Sequence, residues 1–170
     1  MKMPSVISRR ILVLVLLLAE LAPASHASAL VITPGRGIGS VRLSMTEAQV
    51  KRVLGPSIPA VSATGRHPLS FPSQGVTVWF SKGRAVKVRT VNPDHKTAAG
   101  FAPGDTRWEQ AKQALCHGGR SEASATRATP TGFEIRCPLR GIVLEVSHGR
   151  IVGLSVIPIA KLRPRRTLRP

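Results

Sequence analysis

Residues 75–91 read GVTVWFSKGRAVKVRTV, and residues 141–157 read GIVLEVSHGRIVGLSVI. At an offset of 66, Gly75/Gly141, Ser81/Ser147, Gly83/Gly149, Arg84/Arg150 and Val86/Val152 are identical. In both stretches apolar, often β-branched residues alternate on either side of a short turn, Lys82-Gly83 in one and His148-Gly149 in the other. Alternation of period two marks strands, and glycine supplies the positive φ that a tight turn requires. Each stretch therefore predicts a β-hairpin, and the pair predicts a duplication.

Working outward, a second matching pair lies upstream of each hairpin. Gln49-Val50-Lys51-Arg52-Val53-Leu54 parallels Gln110-Ala111-Lys112-Gln113-Ala114-Leu115. Val50, Val53 and Leu54 fall at i, i+3 and i+4, as do Ala111, Ala114 and Leu115, so each set forms one apolar helical stripe. Thr46-x-x-Gln49 and Thr106-x-x-Glu109 fit the capping box, in which the Thr side chain accepts from an orphan amide and the third residue reaches back. Gly55-Pro56 stops the first helix, through left-handed geometry and a missing donor. Segments 57–74 and 117–132, rich in Ser, Pro, Gly, Thr and Ala, have room for one edge strand each, and Phe133–Cys137 alternates as a further strand. Each half thus holds a glycine-containing lead-in, a short helix and antiparallel strands, about 34–92 and 100–157, joined by Asn92–Gly100. Halves of about 60 residues are marginal alone, so the two are expected to share a core, their sheets packing together or continuing one another. The fold class expected is α+β: two tandem modules, each a short capped helix packed on an antiparallel β-sheet.

The chain opens on an export signal. Lys2, Arg9 and Arg10 form a positive region, Ile11–Ala19 an unbroken apolar run, and Ala27-Ser28-Ala29 an A-x-A cleavage site with Ala27 and Ala29 as its small residues. The alternative is an uncleaved anchor, but Glu20 ends the apolar run far short of the roughly 20 residues a spanning helix needs. Cleavage would leave no membrane span and an extracytoplasmic, secreted or envelope location. The expected division is signal peptide 1–29, first module 30–95, second module with a disulfide 96–158, and a basic disordered tail 159–170.

Net charge is +17, and removal of residues 1–29 leaves it at +15. Such a surface attracts polyanions: acidic wall polymers, anionic lipid or nucleic acid. Nucleic acid is set aside, because single-strand binders also present aromatic stacking platforms, Tyr is absent here, and no zinc-finger or RNA-recognition signature occurs. Arg-rich composition also serves solubility alone. The candidate polyanion contacts are Arg84 and Arg150, which recur after the hairpin turns, and Lys161, Arg163, Arg165, Arg166 and Arg169 of the tail. Turn preference explains the first two equally, and a solvated terminus explains the rest.

Cys116 and Cys137, an even pair in an exported chain, predict a disulfide. It would close a loop of about 20 residues and stabilise by roughly 3 kcal/mol. The alternative, a metal held with His117, lacks the C-x-x-C spacing of structural zinc sites. Pro34-Gly-Arg-Gly-Ile-Gly39 lacks the P-loop Lys and reads as turn glycines. His67, His95, His117 and His148 have no helical His partner, no G-x-S-x-G elbow occurs, and acids are scarce. No catalytic residue, metal or cofactor is assigned. Trp79 and Trp108 read as packing residues ahead of a ligand platform.

The segment Gly39–Pro56, GSVRLSMTEAQVKRVLGP, resembles the G-M-T-x-x-Q-V-x-x-x-L-G-x-P opening of the BamE/SmpA-like and β-lactamase-inhibitor-protein-like superfamily, through Met45, Thr46, Gln49, Val50, Leu54 and Gly55. Ser44 stands where that pattern has Gly, and Pro56 comes one residue early. The second half matches through Thr106, Gln110 and Leu115. The resemblance implies helices across a curved antiparallel sheet, with tandem members offering a concave face to a protein partner. This chain lacks the lipidation cysteine of the assembly lipoproteins and pairs cysteines in only one repeat. The expected function is therefore a secreted, non-catalytic binding module for an exported or envelope protein. Electrostatic binding of an anionic cell-envelope polymer is the alternative.

Overall fold

The two repeated stretches fold as hairpins with the same backbone. In a computed structural model of the chain, residues 30–60, 67–116 and 125–160 are described. Lys82 and Gly83 take φ 50° and 71°, and His148 and Gly149 take 48° and 71°. Positive φ at both central residues makes each turn type I′, whose twist matches that of the strands it joins. The same bulge interrupts both ladders, between Trp79 and Phe80 in one and between Glu145 and Val146 in the other. Gly75 and Gly141 enter the hairpins at φ 62° and 70°. All these features repeat at the 66-residue offset.

The lead-in consists of β1 (Val31–Thr33), β2 (Gly37–Ile38) and β3 (Val41–Arg42), followed by α1 (Glu47–Leu54). Next come β4 (Ile58–Pro59), β5 (His67–Phe71), a 3-10 turn at Pro72–Gln74, and the hairpin β6 (Val76–Ser81) with β7 (Arg84–Thr90). The second half follows as β8 (Lys96–Thr97), α2 (Trp108–Cys116), β9 (Ala125–Thr129), β10 (Gly132–Cys137), β11 (Ile142–Ser147) and β12 (Arg150–Val156). The fold is α+β, with two helices among the described residues.

The main sheet has eight antiparallel strands in the order β4-β5-β6-β7-β12-β11-β10-β9. The halves join where their last strands pair, Thr90 with Leu154, Arg89 with Ser155 and Val88 with Val156. Arg89 and Ser155 are themselves equivalent at the 66-residue offset, so a pseudo-twofold axis passes through this pair. One sheet thus runs through both halves. A four-stranded mixed sheet, β3-β2-β1-β8, ties them a second time, because β1 and β8 pair in parallel.

One face of the main sheet carries the core. Val76, Val78, Phe80, Ala85 and Val88 are buried beside their equivalents Ile142, Leu144, Val146, Ile151 and Leu154. Val50 and Leu54 of α1 and Ala111 and Leu115 of α2 join the same core cluster. Full burial of one such aliphatic side chain stabilises by about 1.5–3 kcal/mol. Cys116 is bonded to Cys137, stapling α2 to β10, so the metal alternative is resolved in favour of the disulfide.

The capping box on α1 is complete: the Gln49 amide donates to Thr46 Oγ1, and the Thr46 amide donates to Gln49 Oε1. Gly55 ends the helix at φ 84°, ψ −150°, a region open to glycine but outside the left-handed helical conformation expected. The second box does not form as expected. Helix α2 begins at Trp108, two residues after Thr106, and Asp105 Oδ1 instead accepts the Arg107 amide at 2.8 Å. A carboxylate acceptor makes the stronger, charge-assisted bond, and the Arg107 side chain closes over the same carboxylate. A further difference is β5, which with β4 puts two strands between helix and hairpin, where the sequence leaves room for one edge strand. Among the described residues no helix is long and apolar enough to cross a membrane, and the disulfide fits an oxidising, extracytoplasmic compartment.

Candidate binding surface

The second face of the main sheet carries a different kind of residue. Its registers align one row across all eight strands: Ile58, Ser70, Thr77, Arg89, Ser155, Val143, Arg136 and Ala125. Flanking this row are Trp79 and Lys87 from the first half, and Glu145 and Gly153 from the second. At the centre these residues meet across the repeat seam.

Arg89 Nε donates to Glu145 at 3.0 Å (Oε1) and 2.7 Å (Oε2), and its Nη2 lies 2.6 Å from Oε2. Ser155 Oγ donates to Oε1 at 3.2 Å, and Lys87 Nζ stands 3.8 Å from the same oxygen. Lys87 also lies over the Trp79 ring, 4.8 Å from its centroid. The side chains of Lys87, Arg89 and Glu145 remain 22 %, 27 % and 16 % exposed, whereas Ser155 is fully buried. Burial pushes the Glu145 carboxyl up, but the Arg89 bonds and charge, Lys87 and Ser155 outweigh it and hold the group below the usual carboxylate range. Burial also pulls the Lys87 ammonium below its ordinary value, against the attraction of Glu145 and Glu134.

The repeat is broken here by chemistry. At the 66-residue offset Trp79 corresponds to Glu145, Lys87 to Gly153 and Arg89 to Ser155. Large and cationic residues on one hairpin face a carboxylate and small residues on the other. A Cβ at Gly153 would stand 2.9 Å from Glu145 Oε2 and 3.0 Å from Arg89 Nη2, so a larger residue there would displace the ends of those two side chains.

Arg84 and Arg150 occupy equivalent places and do equivalent work. Arg84 Nη1 donates to the Ser44 carbonyl at 3.1 Å, and Arg150 Nη1 to the Gly104 carbonyl at 3.3 Å. Ser44 and Gly104 both have positive φ, 69° and 93°. Backbone bonds join the same segments, Ser44 and Met45 to Ala85, Gly104 and Asp105 to Ile151. The two arginines therefore fasten each lead-in to its hairpin while remaining exposed. Trp108 meets Phe133 edge to face, with ring centroids 5.2 Å apart, so it packs against the core, while Trp79 belongs to the second face. His95 is fully buried in the connection, its Nδ1 2.7 Å from Thr90 Oγ1 and its Nε2 without a partner among the described residues.

Cleavage residues Ala27 and Ala29, His117, and the tail cations Lys161, Arg163, Arg165, Arg166 and Arg169 lie outside the described residues. Sequence reasoning passed over Lys87, Arg89, Glu145 and Ser155. Their signal was the other phase of the hairpin alternation: once the apolar phase is assigned inward, these residues must share the opposite face. No protein-family model, curated protein or solved structure matches this chain.

Proposed function

We infer that the chain is an exported, non-catalytic binding module that engages a protein through the second face of its main sheet. The observation that carries this reading is the Trp79–Lys87–Glu145–Arg89 cluster, partly exposed and tied together by ion pairs at the sheet centre. Pre-organised aromatic and arginine side chains are the residue types that dominate binding energy at protein interfaces. The donors around Glu145 favour a fixed ion-pair partner over a general base, which supports binding ahead of catalysis. The motif at Gly39–Pro56 supports kinship with the BamE/SmpA-like and β-lactamase-inhibitor-protein-like superfamily, whose tandem members use such a face. The N-terminal signal and the disulfide support action outside the cytoplasm.

The test is a pull-down with the secreted chain against envelope and secreted fractions, in parallel with a Trp79→Ala, Lys87→Ala double variant. A stoichiometric protein retained by the parent and lost from the variant is expected. Recovery of no protein at mild salt, or equal recovery by both, contradicts the reading. The net charge of +17 favours a second reading, adhesion to an anionic envelope polymer, which would weaken steeply with salt and on deleting residues 161–170.

A further inference from the structure

The main sheet has two unequal edges. Edge strand β4 is Ile58–Pro59, two residues long, and its proline has no amide to offer. Edge strand β9 is Ala125–Thr129, with Ala125 to Ala128 all exposed, and no described strand pairs with its outer side. A free row of backbone donors and acceptors is a template for another strand. The geometry points to β9 as the docking edge for an extended segment of another exported protein, one that carries an acidic residue between two apolar ones. This rests on the protein-binding reading but uses the edge of the sheet in place of its face.

Register dictates the sequence preference. Thr126 and Ala128 pair with Ile135 and Phe133, so they lie on the core side. An added strand would extend that layer with apolar side chains beside two small residues. Arg127 pairs with Glu134 and points to the second face. It joins no ion pair among the described residues. A carboxylate on the added strand would sit beside it, on a chain of net charge +17. A second copy of this chain fits poorly. Antiparallel self-pairing over the full strand places the two Arg127 side chains opposite or diagonal to each other on one face, and like charges so placed destabilise a sheet.

The probe is a short fluorescein-labelled peptide, STVEVTS, with STVKVTS as its control, titrated onto the chain recovered after expression with its own leader. Anisotropy should show the glutamate peptide binding roughly fivefold or more tightly than the lysine peptide. Arg127→Glu, with an unchanged circular dichroism spectrum, should reverse that order. N-methylation of the peptide at one of two consecutive residues should abolish binding, because strand addition uses every second amide and simple charge attraction uses none. Slowed exchange confined to alternate amides of β9, those that face away from β10, should accompany binding. Absence of binding by the glutamate peptide, binding that survives both methylations, or a dimer that sediments through β9 would overturn the proposal. Each of these results leaves the Trp79 and Lys87 pull-down to judge the sheet face separately.

Discussion

On the helix-covered side, the Val76–Thr90 and Ile142–Val156 hairpins carry apolar residues at matched positions: valine against isoleucine or leucine at three, and the cross-strand pair Phe80–Ala85, large against small, where the other hairpin has Val146–Ile151. On the other side they carry opposites. The inward positions are bound by packing, since a close-packed interior feels the gain or loss of a single methylene. The outward positions have no such constraint, and there Trp79, Lys87 and Arg89 confront Glu145, Gly153 and Ser155. The duplication therefore supplies a symmetric frame, and the asymmetry across the seam supplies a rigid polar surface. The halves differ in fastening too: α2 is stapled to its sheet by the Cys116–Cys137 bond, whereas α1 relies on caps and packing.

Forcing symmetry on the seam should do the most damage. Ser155→Arg puts a second guanidinium opposite Arg89 at a fully buried site, and a loss of about 3 kcal/mol or more in urea unfolding is expected. Replacing both cysteines by serine should cost roughly 3 kcal/mol, with amide exchange accelerating in α2 before α1. An Arg89→Ala, Glu145→Ala double-mutant cycle should give a coupling of about 1–3 kcal/mol, below that of a fully dry pair because both side chains keep some solvent contact. At the small end, Gly83→Ala and Gly149→Ala should each cost about 1 kcal/mol, and by equal amounts. Both glycines have φ 71° with open space around them, so only backbone strain is introduced.

Acid should separate two regions of the molecule in turn. His95 is buried neutral and its pKa is lowered by that burial, against the pull of Asp94. The unfolded chain therefore takes up the proton first, and stability should decline as pH falls below about 6.5 toward the lowered value. Glu145 is held below its ordinary range, so its contribution is complete above about 4.5 and is lost as pH falls through the depressed value. Urea midpoints should thus fall in two stages. His95→Gln should remove the first stage, and Glu145→Gln the second.

The hairpins, both helices and the disulfide were legible because each rests on local signals: alternation, a three-four apolar stripe, glycine at a turn, an even cysteine pair. The missed elements lack such signals. Strand β5 contains Pro68, which argues against a strand; its carbonyl accepts the Ala60 amide, and the lost donor costs one bond beside a two-residue neighbour. The β1–β8 pairing brings together residues 65 apart in strands too short to show alternation. The α2 start lies two residues past Thr106, because Asp105 takes the Arg107 amide into a turn ahead of the helix, a local bond that the capping pattern alone does not reveal. The seam cluster needed the register of β7 against β12, which no local pattern encodes. The surface roles of Arg84 and Arg150 were visible only as recurrence; their bonds to Ser44 and Gly104 required the lead-in to fold back over the turn.

The two copies fuse along β7 and β12, with Arg89 opposite Ser155. Backbone nuclear Overhauser effects in the labelled, secreted chain test it most directly. Cross-strand contacts linking Thr90 with Leu154, Arg89 with Ser155 and Val88 with Val156 are the predicted result. Contacts that connect β7 to any other strand on that side, or two hairpins with no cross-peaks between them, would contradict it.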